Sequence, residues 1–350
     1  MIRGAPQLDV SVVIPCLNEV AHIRRCLDRI FELNGGELRG KVIVVDNGST
    51  DGSLNVISSY GDQLRLLTGP GLRISELRNR GARASRTDWL AFVDADVEVS
   101  DAWLDGLRWS VFALRKAGDA EHRAVIGATY QIPRDATWIE RTWFNQLSAR
   151  DNAAPPQYIN GGNMAISRRL FETIGGFDAG CRTGEDVRFC CDAADSGAMI
   201  IREPLMAVVH HGYPKSVHAF FRRELWHGAG MSSWLSRPWR SRPLMLALHN
   251  LALFAAASIL AIRFPARAVD IGVLGALLAA LPLVLMAGRR AEREWSGWLR
   301  LTYLYLIYSA ARTLALLSIA AGCSCQRGQR GAMNQDAVPN RYTDGQLRAP

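Results

Sequence analysis

The chain has 350 residues, 49% of them hydrophobic, and a formal net charge of +8. The charge is unevenly spread: residues 201–350 carry 18 Lys/Arg against 7 Asp/Glu, whereas residues 1–200 carry 23 against 26. A basic excess confined to one half, and interleaved there with apolar stretches, excludes a nucleic-acid footprint over the whole protein and reads as membrane-facing. Met1 to Asp9 lacks the apolar core of a signal peptide, so the first 200 residues are expected to stay in the cytosol.

From the N-terminus, strand and helix patterns alternate. Val10 to Ile14 is an apolar run closed by Pro15, Asn18 and Glu19, and an amphipathic helix follows with Ile23, Leu27, Ile30 and Phe31 on one face. Lys41 to Val45 reads as the next strand, ending in Asp46, and Asn47 to Gly52 is turn and helix-cap chemistry. A short strand near Leu64 to Leu67, a helix through Leu77 to Ala84 and a strand from Trp89 to Val93 complete the series. This alternation predicts an α/β domain with a mostly parallel, doubly wound sheet. A further strand is expected over Ala124 to Tyr130, then an aromatic helix with Trp138, Ile139, Trp143, Phe144 and Leu147. Residues 213–242 form a basic, aromatic segment suited to a bilayer surface.

Three apolar stretches follow. Leu244 to Ile262 has no charge, Ala268 to Gly288 only Asp270, and Leu301 to Gly322 only Arg312. Each approaches the ~20 residues that a helix needs to cross a bilayer. Spans are therefore expected at 244–262, 268–288 and 300–322, giving domains at 1–212, 213–242 and 243–325 and a tail at 326–350. Arg312 is the weak point, since an intramembrane Arg is costly unless it faces protein or snorkels. Arginines precede the first span and lie between the second and third, which places the N-terminal half inside. Three crossings would put the tail outside, although its Arg327, Arg330, Arg341 and Arg348 argue against that. Seven scattered cysteines do not resemble a disulfide framework, and Cys323 and Cys325 sit at a membrane boundary.

Acidic residues punctuate the strand ends. Asp94-Ala95-Asp96 follows the Trp89–Val93 strand, and Glu19 and Asp46 end two others. In an open α/β sheet the carboxyl ends of the strands gather on one edge, where ligands bind. A cleft lined by Glu19, Asp46, Asp94 and Asp96 would repel a bare anion but suits a phosphate-bearing substrate held on Mg²⁺ or Mn²⁺. Taken alone, Asp-x-Asp is also a turn or cap signal. Downstream come Asn160-Gly161-Gly162-Asn163, Gly175-Gly176-Phe177-Asp178 and Thr183-Gly184-Glu185-Asp186, the last opening a helix whose dipole would hold a base ionised. Val208-Val209-His210-His211 ends a strand with two histidines, of which alternation lets only one face the cleft.

The ordered series Pro15-Cys16-Leu17-Asn18-Glu19, Asp46-Asn47-Gly48-Ser49-Thr50-Asp51, Arg78-Asn79-Arg80-Gly81, Asp94-Ala95-Asp96, Gly161-Gly162-Asn163, Gly175-Gly176-Phe177-Asp178 and Gly184-Glu185-Asp186 resembles the family 2 glycosyltransferases of GT-A fold. The resemblance covers residues 10–212. It implies that Pro15, Glu19, Asp46, Arg78 and Asp94 contact the donor and that Asp96 binds the metal, with His210, or else His211, as a metal or pyrophosphate contact. It further implies that Gly161, Gly162 and Asn163 line the acceptor side, and that Asp186 is the catalytic base with Glu185 beside it. An inverting transfer would follow, from a nucleoside diphosphate sugar, UDP or dTDP type favoured, to a lipid-linked or glycolipid acceptor at the bacterial inner membrane. Polymer-extruding members carry Gln-x-x-Arg-Trp after the base; Arg222-Arg223-Glu224-Leu225-Trp226 stands here, which favours single transfer. The competing readings are a membrane-bound nucleotidyltransferase, which lacks its Gly-rich phosphate loop here, and a catalytically degenerate scaffold or sugar-nucleotide-binding subunit.

Overall fold

A computed structural model describes residues 8–117, 123–144, 156, 158–181, 183–235, 238–290 and 295–321. The tail 326–350, Cys323, Cys325 and Leu147 lie outside these residues. The first strands are β1 (Val10–Cys16), β2 (Val42–Asp46), β3 (Leu64–Thr68) and β4 (Trp89–Val93). Every residue of β1, β2 and β4 is buried, as expected of parallel strands covered on both faces, whose sequences run as continuous apolar stretches. Helices α1 (Ile23–Glu32), α2 (Ser53–Ser58) and α3 (Ile74–Ala84) make the crossovers. α1 buries Ile23, Cys26, Leu27, Ile30 and Phe31, the face that its apolar spacing sets.

β5 (Val97–Val99) and α4 (Trp103–Lys116) come next, followed by β6 (Ala124–Gly127), β7 (Tyr130–Gln131) and α5, whose described part is 138–144. Then follow β8 (Asn163–Ser167), α6 (Arg168–Ile174), α7 (Glu185–Asp195), β9 (Met199–Arg202) and β10 (Val208–His210). The main sheet has the order β3-β2-β1-β4-β8-β6-β9, with β8 antiparallel to both neighbours; β5-β10-β7 form a smaller sheet. The sheet is thus doubly wound and mostly parallel, as expected, and β8 makes it mixed.

The single strand expected over 124–130 is two strands in different sheets. The Asn163 side-chain amide donates to the Ala128 carbonyl at 3.2 Å. At Gly127 a Cβ would stand 2.2 Å from the Asn163 carbonyl, so only glycine admits that approach. The chain bends between these contacts and leaves β6 for β7.

After β10 come α8 (Val217–Gly228) and three long apolar helices, α9 (Arg242–Arg263), α10 (Ala268–Arg290) and α11 (Trp295–Ala320). All three are long and apolar enough to cross a membrane. α9 and α10 form a hairpin that is mostly exposed, whereas α11 is substantially buried against the rest of the protein. The α5 aromatics serve packing: Trp143 meets Phe220 of α8 and Tyr305 and Tyr308 of α11, with ring centroids 5.0, 5.1 and 5.3 Å apart. Cys16, Cys26, Cys181 and Cys190 are buried thiols, while Cys191 is exposed on α7.

Candidate active site

The sheet reverses its winding between β1 and β4: β2 and β3 lie on one side of β1 and β4 on the other. Chain entering from either side leaves a crevice at the carboxyl ends of these strands. Glu19, Asp46, Asp94 and Asp96 all follow those ends. Asn18 adopts φ 56, a left-handed conformation that asparagine tolerates, and its side-chain oxygen accepts from the Thr50 amide at 2.8 Å. That bond fastens the turn after β1 to the turn after β2. Pro15 lies inside β1, in register with Val45.

Asp46 is 1% exposed. Its carboxylate accepts from the Gly48 amide at 2.8 Å, the Ser49 amide at 3.0 Å and the Ser49 hydroxyl. Three of its roughly four acceptor positions therefore hold its own turn.

Arg78 is the central cation. Its Nη2 donates to Asp94 Oδ1 at 2.8 Å and its Nη1 to Glu185 Oε1 at 2.5 Å. Burial opposes its charge, but Asp94 and Glu185 outweigh that and hold its pKa above the ordinary value. Burial raises the Glu185 carboxyl, as does Asp186 beside it, and Arg78 opposes the rise. One side chain thus joins the strand-end carboxylates to the start of α7. Asp186 Oδ2 accepts from the Gly161 amide at 3.1 Å, and its Oδ1 from the Val187 amide at 2.8 Å. It sits in the first turn of α7, where the helix N-terminus carries partial positive charge.

Gly161 and Gly162 pass between these groups. A Cβ on Gly161 would lie 2.7 Å from Arg78 Nη1, and one on Gly162 would lie 2.1 Å from Asp94 Oδ2 and 2.5 Å from the Tyr130 hydroxyl. The glycines are what let the loop close over the carboxylates. Asn163 does not join them. It is 0% exposed; its Oδ1 accepts from Trp103 Nε1 at 2.9 Å, and its Nδ2 donates to the Ala128 and Met206 carbonyls at 3.2 and 2.8 Å. Its side chain is a fully bonded core amide that braces the loop from beneath.

The two histidines part as alternation requires. His210 Nε2 lies 3.5 Å from Asp96 Oδ2, while His211 Nε2 pairs with Glu98 at 2.9 Å. Burial, aided by Arg223, lowers the His210 pKa to about 3, so the ring is neutral. Its Nδ1 is buried without a hydrogen-bond partner. Tyr130 stacks on this ring at 4.9 Å and Tyr213 lies at 4.2 Å. Burial raises the Asp96 carboxyl, and burial beside Asp96 and Asp94 pushes Glu19 up to about 9. Among the described residues no three His, Cys, Asp or Glu side chains converge to hold a metal by themselves. A carboxylate paired with a neutral imidazole nonetheless fits a divalent cation that draws its other ligands from water and substrate phosphate. The mutual repulsion that lifts Glu19 is what such a cation would relieve. Sequence reasoning missed Tyr130, Tyr213 and Arg223 as neighbours of the site; only the aromatic and basic composition around them hinted at it.

The mixed sheet with its flanking helices has the GT-A architecture. Residues 11–183 match the family model described as Glycosyl transferase family 2. Glu185 and Asp186 lie just beyond the matched segment. The chain is 26% identical over 303 residues to the pre-mycofactocin glycosyltransferase of Mycobacterium tuberculosis, covering 83% of this chain and 58% of that protein. It is 28% identical over 193 residues to glycosyltransferase AglE of Haloferax volcanii, covering 54% of this chain and 62% of that protein. It thus spans less than two thirds of the length of these relatives. A solved mannosyltransferase of Pyrobaculum calidifontis, in complex with GDP-Man and Mn²⁺, shares the fold with a TM-score of 0.55 and 23% identity, covering 88% of each chain.

Proposed function

We propose that this protein is an inverting glycosyltransferase that moves a sugar from a nucleoside diphosphate sugar to a lipid-linked or glycolipid acceptor in glycan synthesis. The observation that carries the reading is Arg78, which draws the strand-end carboxylate Asp94 and the helix-start carboxylate Glu185 into one cleft. A donor site and a base are thereby placed side by side.

Asp94 and Glu19 orient the donor's ribose and sugar hydroxyls. The remaining acceptor position of Asp46 reads the N3–H of a uracil or thymine base, which favours UDP or dTDP sugars. Asp96 and His210 would hold Mg²⁺ or Mn²⁺. Such a cation, when bound, supplies positive charge to the leaving diphosphate. Asp186, at the start of α7, accepts the proton of the acceptor hydroxyl as that oxygen attacks the anomeric carbon from the face opposite the diphosphate. The C–O bond to the acceptor forms as the bond to the diphosphate breaks, and configuration inverts. The acceptor is lipid-linked because the cleft adjoins α8 and the apolar helices. The catalytic domain faces the cytoplasm of the bacterial inner membrane, on the side of the arginine-rich loops.

The test is transfer from a panel of nucleoside diphosphate sugars, read as nucleoside diphosphate release with membrane lipid present. Release should stop on chelation and return with Mg²⁺ or Mn²⁺. Asp186→Asn should lower transfer by ~10²–10⁴-fold while the protein still binds the donor nucleotide. Full activity in Asp186→Asn removes that residue from the role; release from no donor sinks the reading.

A further inference from the structure

Among the described residues α11 meets the α9–α10 hairpin in the part nearest its base, up to Asn250 of α9, whose side-chain amide donates to the Ser309 and Thr313 hydroxyls at 2.6 and 3.1 Å. Leu301 and Leu304 share an apolar cluster with Leu283 and Ala287 near the end of α10. Ala315 and Leu316 share another with Leu244 and Ala247 at the start of α9. Beyond that base the hairpin is bare, with Phe254, Ile259 and Ile262 exposed by 73%, 66% and 81%. A 26-residue helix running alongside the hairpin would cover those positions. α11 instead passes across the base, from α10 to α9.

Another face of α11 lies along α8. Phe220 joins the cluster of Leu301 and Leu304, Glu224 pairs with Arg312 at 2.5 Å, and a Cβ on Gly228 would stand 2.3 Å from the Ala315 Cβ. These three contacts follow one another along both helices, so α8 and α11 run side by side in the same direction. α8 cannot lie at the centre of a bilayer. It carries Arg222 and Arg223, and a charged side chain there costs ~2.5–3.5 kcal/mol even on the most lenient scale. It is also fixed to the cleft: Arg223 stacks over Tyr213 at 5.2 Å, and the Thr183 hydroxyl donates to the His227 carbonyl at 3.4 Å. The middle of α11 is held at the depth of α8.

We infer that α11 does not cross the membrane but lies in the interface beneath the catalytic domain, so that the chain crosses only twice, through α9 and α10. The inference rests on the reading that those two helices lie in a membrane. The occupant of α11's free face is the acyl layer. Leu299, Tyr303, Leu306, Leu314 and Leu317 recur every three to eight residues on one stripe and are all exposed, and the stripe continues the bare apolar surface of the hairpin. A helix embedded this way sits ~5–10 Å into the headgroup and acyl boundary. Two features of the sequence then become consistent. Arg312 turns to Glu224 at the protein side and never faces hydrocarbon. Two crossings also return Arg327, Arg330, Arg341 and Arg348 to the side of the other arginine-rich segments, as the positive-inside rule requires.

The experiment is topology mapping of the full chain in bacterial cells. One version carries a side-reporting fusion after Pro350, either green fluorescent protein or alkaline phosphatase; a second carries an epitope between Pro265 and Arg267. The expected result is a fluorescent C-terminal fusion, background phosphatase activity at the same position, and an epitope reached by antibody only from outside. An active C-terminal phosphatase means three crossings and overturns the inference. An epitope on the cytoplasmic side overturns it as well, since the hairpin would not cross. Extraction of the protein from membranes by alkaline carbonate instead sinks the membrane reading on which the inference stands.

Discussion

Arg78 donates to Glu185 at 2.5 Å from a position 3% exposed to solvent, across 107 residues of sequence. The same guanidinium holds Asp94. A planar fork with two separately directed donors can do this; an ammonium cannot satisfy both carboxylates with the same geometry. Arg78 also lies 5.6 Å from the centroid of Phe177, so it is enclosed by an aromatic face as well as by charge.

Arg78→Gln should therefore cost about 3–5 kcal/mol, the scale for breaking a buried pair and leaving carboxylates uncompensated. Arg78→Lys should recover part of the stability but little of the donor affinity, because the two carboxylates would no longer be held at once. Thermal melting of the detergent-solubilised protein, with nucleotide affinity measured in parallel, reads both effects. A Lys variant with native affinity would show that charge alone, not the fork, sets the site.

Gly162→Ala is a second expected lesion. The added methyl would stand 2.1 Å from Asp94 Oδ2 and 2.5 Å from the Tyr130 hydroxyl, and neither is the end of a long flexible chain. Asp94 must shift, and misplacement of a binding group by about 1 Å costs on the order of 10²-fold in rate. The expectation is a loss of that size in kcat/KM with melting temperature little changed. Native kcat/KM would mean that Asp94 has no contact with the donor.

Much of this site is legible in the sequence because strand ends announce themselves. An apolar run closed by Asp94, or by Asp46 and a Gly-rich turn, gives both the element and the edge on which the acid emerges. Alternation likewise predicts that His210 and His211 diverge, though not which one meets Asp96. Contacts distant in sequence leave no such trace. Nothing local marks Arg78 as the partner of Glu185, or Glu224 as the partner of Arg312. The break between β6 and β7 is hidden for the same reason: it is set by Asn163, which lies 35 residues beyond Ala128. A Gly-Gly-Asn motif reads as a polar loop; that its asparagine points into the core depends on Trp103 and Met206 from elsewhere in the fold.

Asn163→Ala tests that bracing role. It would leave the Trp103 Nε1–H and the Ala128 and Met206 carbonyls without their partner, in a place with no exposure to water. Each buried polar group stranded in this way costs about 1–3 kcal/mol. The variant should melt well below the native protein, and whatever fraction folds should keep its native KM for acceptor. A raised acceptor KM in a stably folded Asn163→Ala protein would restore the residue to the acceptor site.

The pair of Arg312 and Glu224 gives the last prediction. Both are buried, and the Arg312 guanidinium also lies 4.8 Å from the centroid of Tyr308. Removal of either partner strands the other charge between α8 and α11, so Arg312→Ala or Glu224→Ala should each cost about 3–5 kcal/mol. The double variant Arg312→Met with Glu224→Met is different. It takes both charges away while filling the same volume, and such replacements are often neutral or stabilising by about 1–4 kcal/mol. Melting temperatures should therefore fall in both single variants and return in the double one. Additive losses in the double variant would mean that the two side chains act separately. Because α8 also carries Arg223 over Tyr213 beside His210, the single variants should lose transfer more steeply than donor binding. Tyr213, which lies against the His210 ring, rests on the α8 surface that this pair holds against α11.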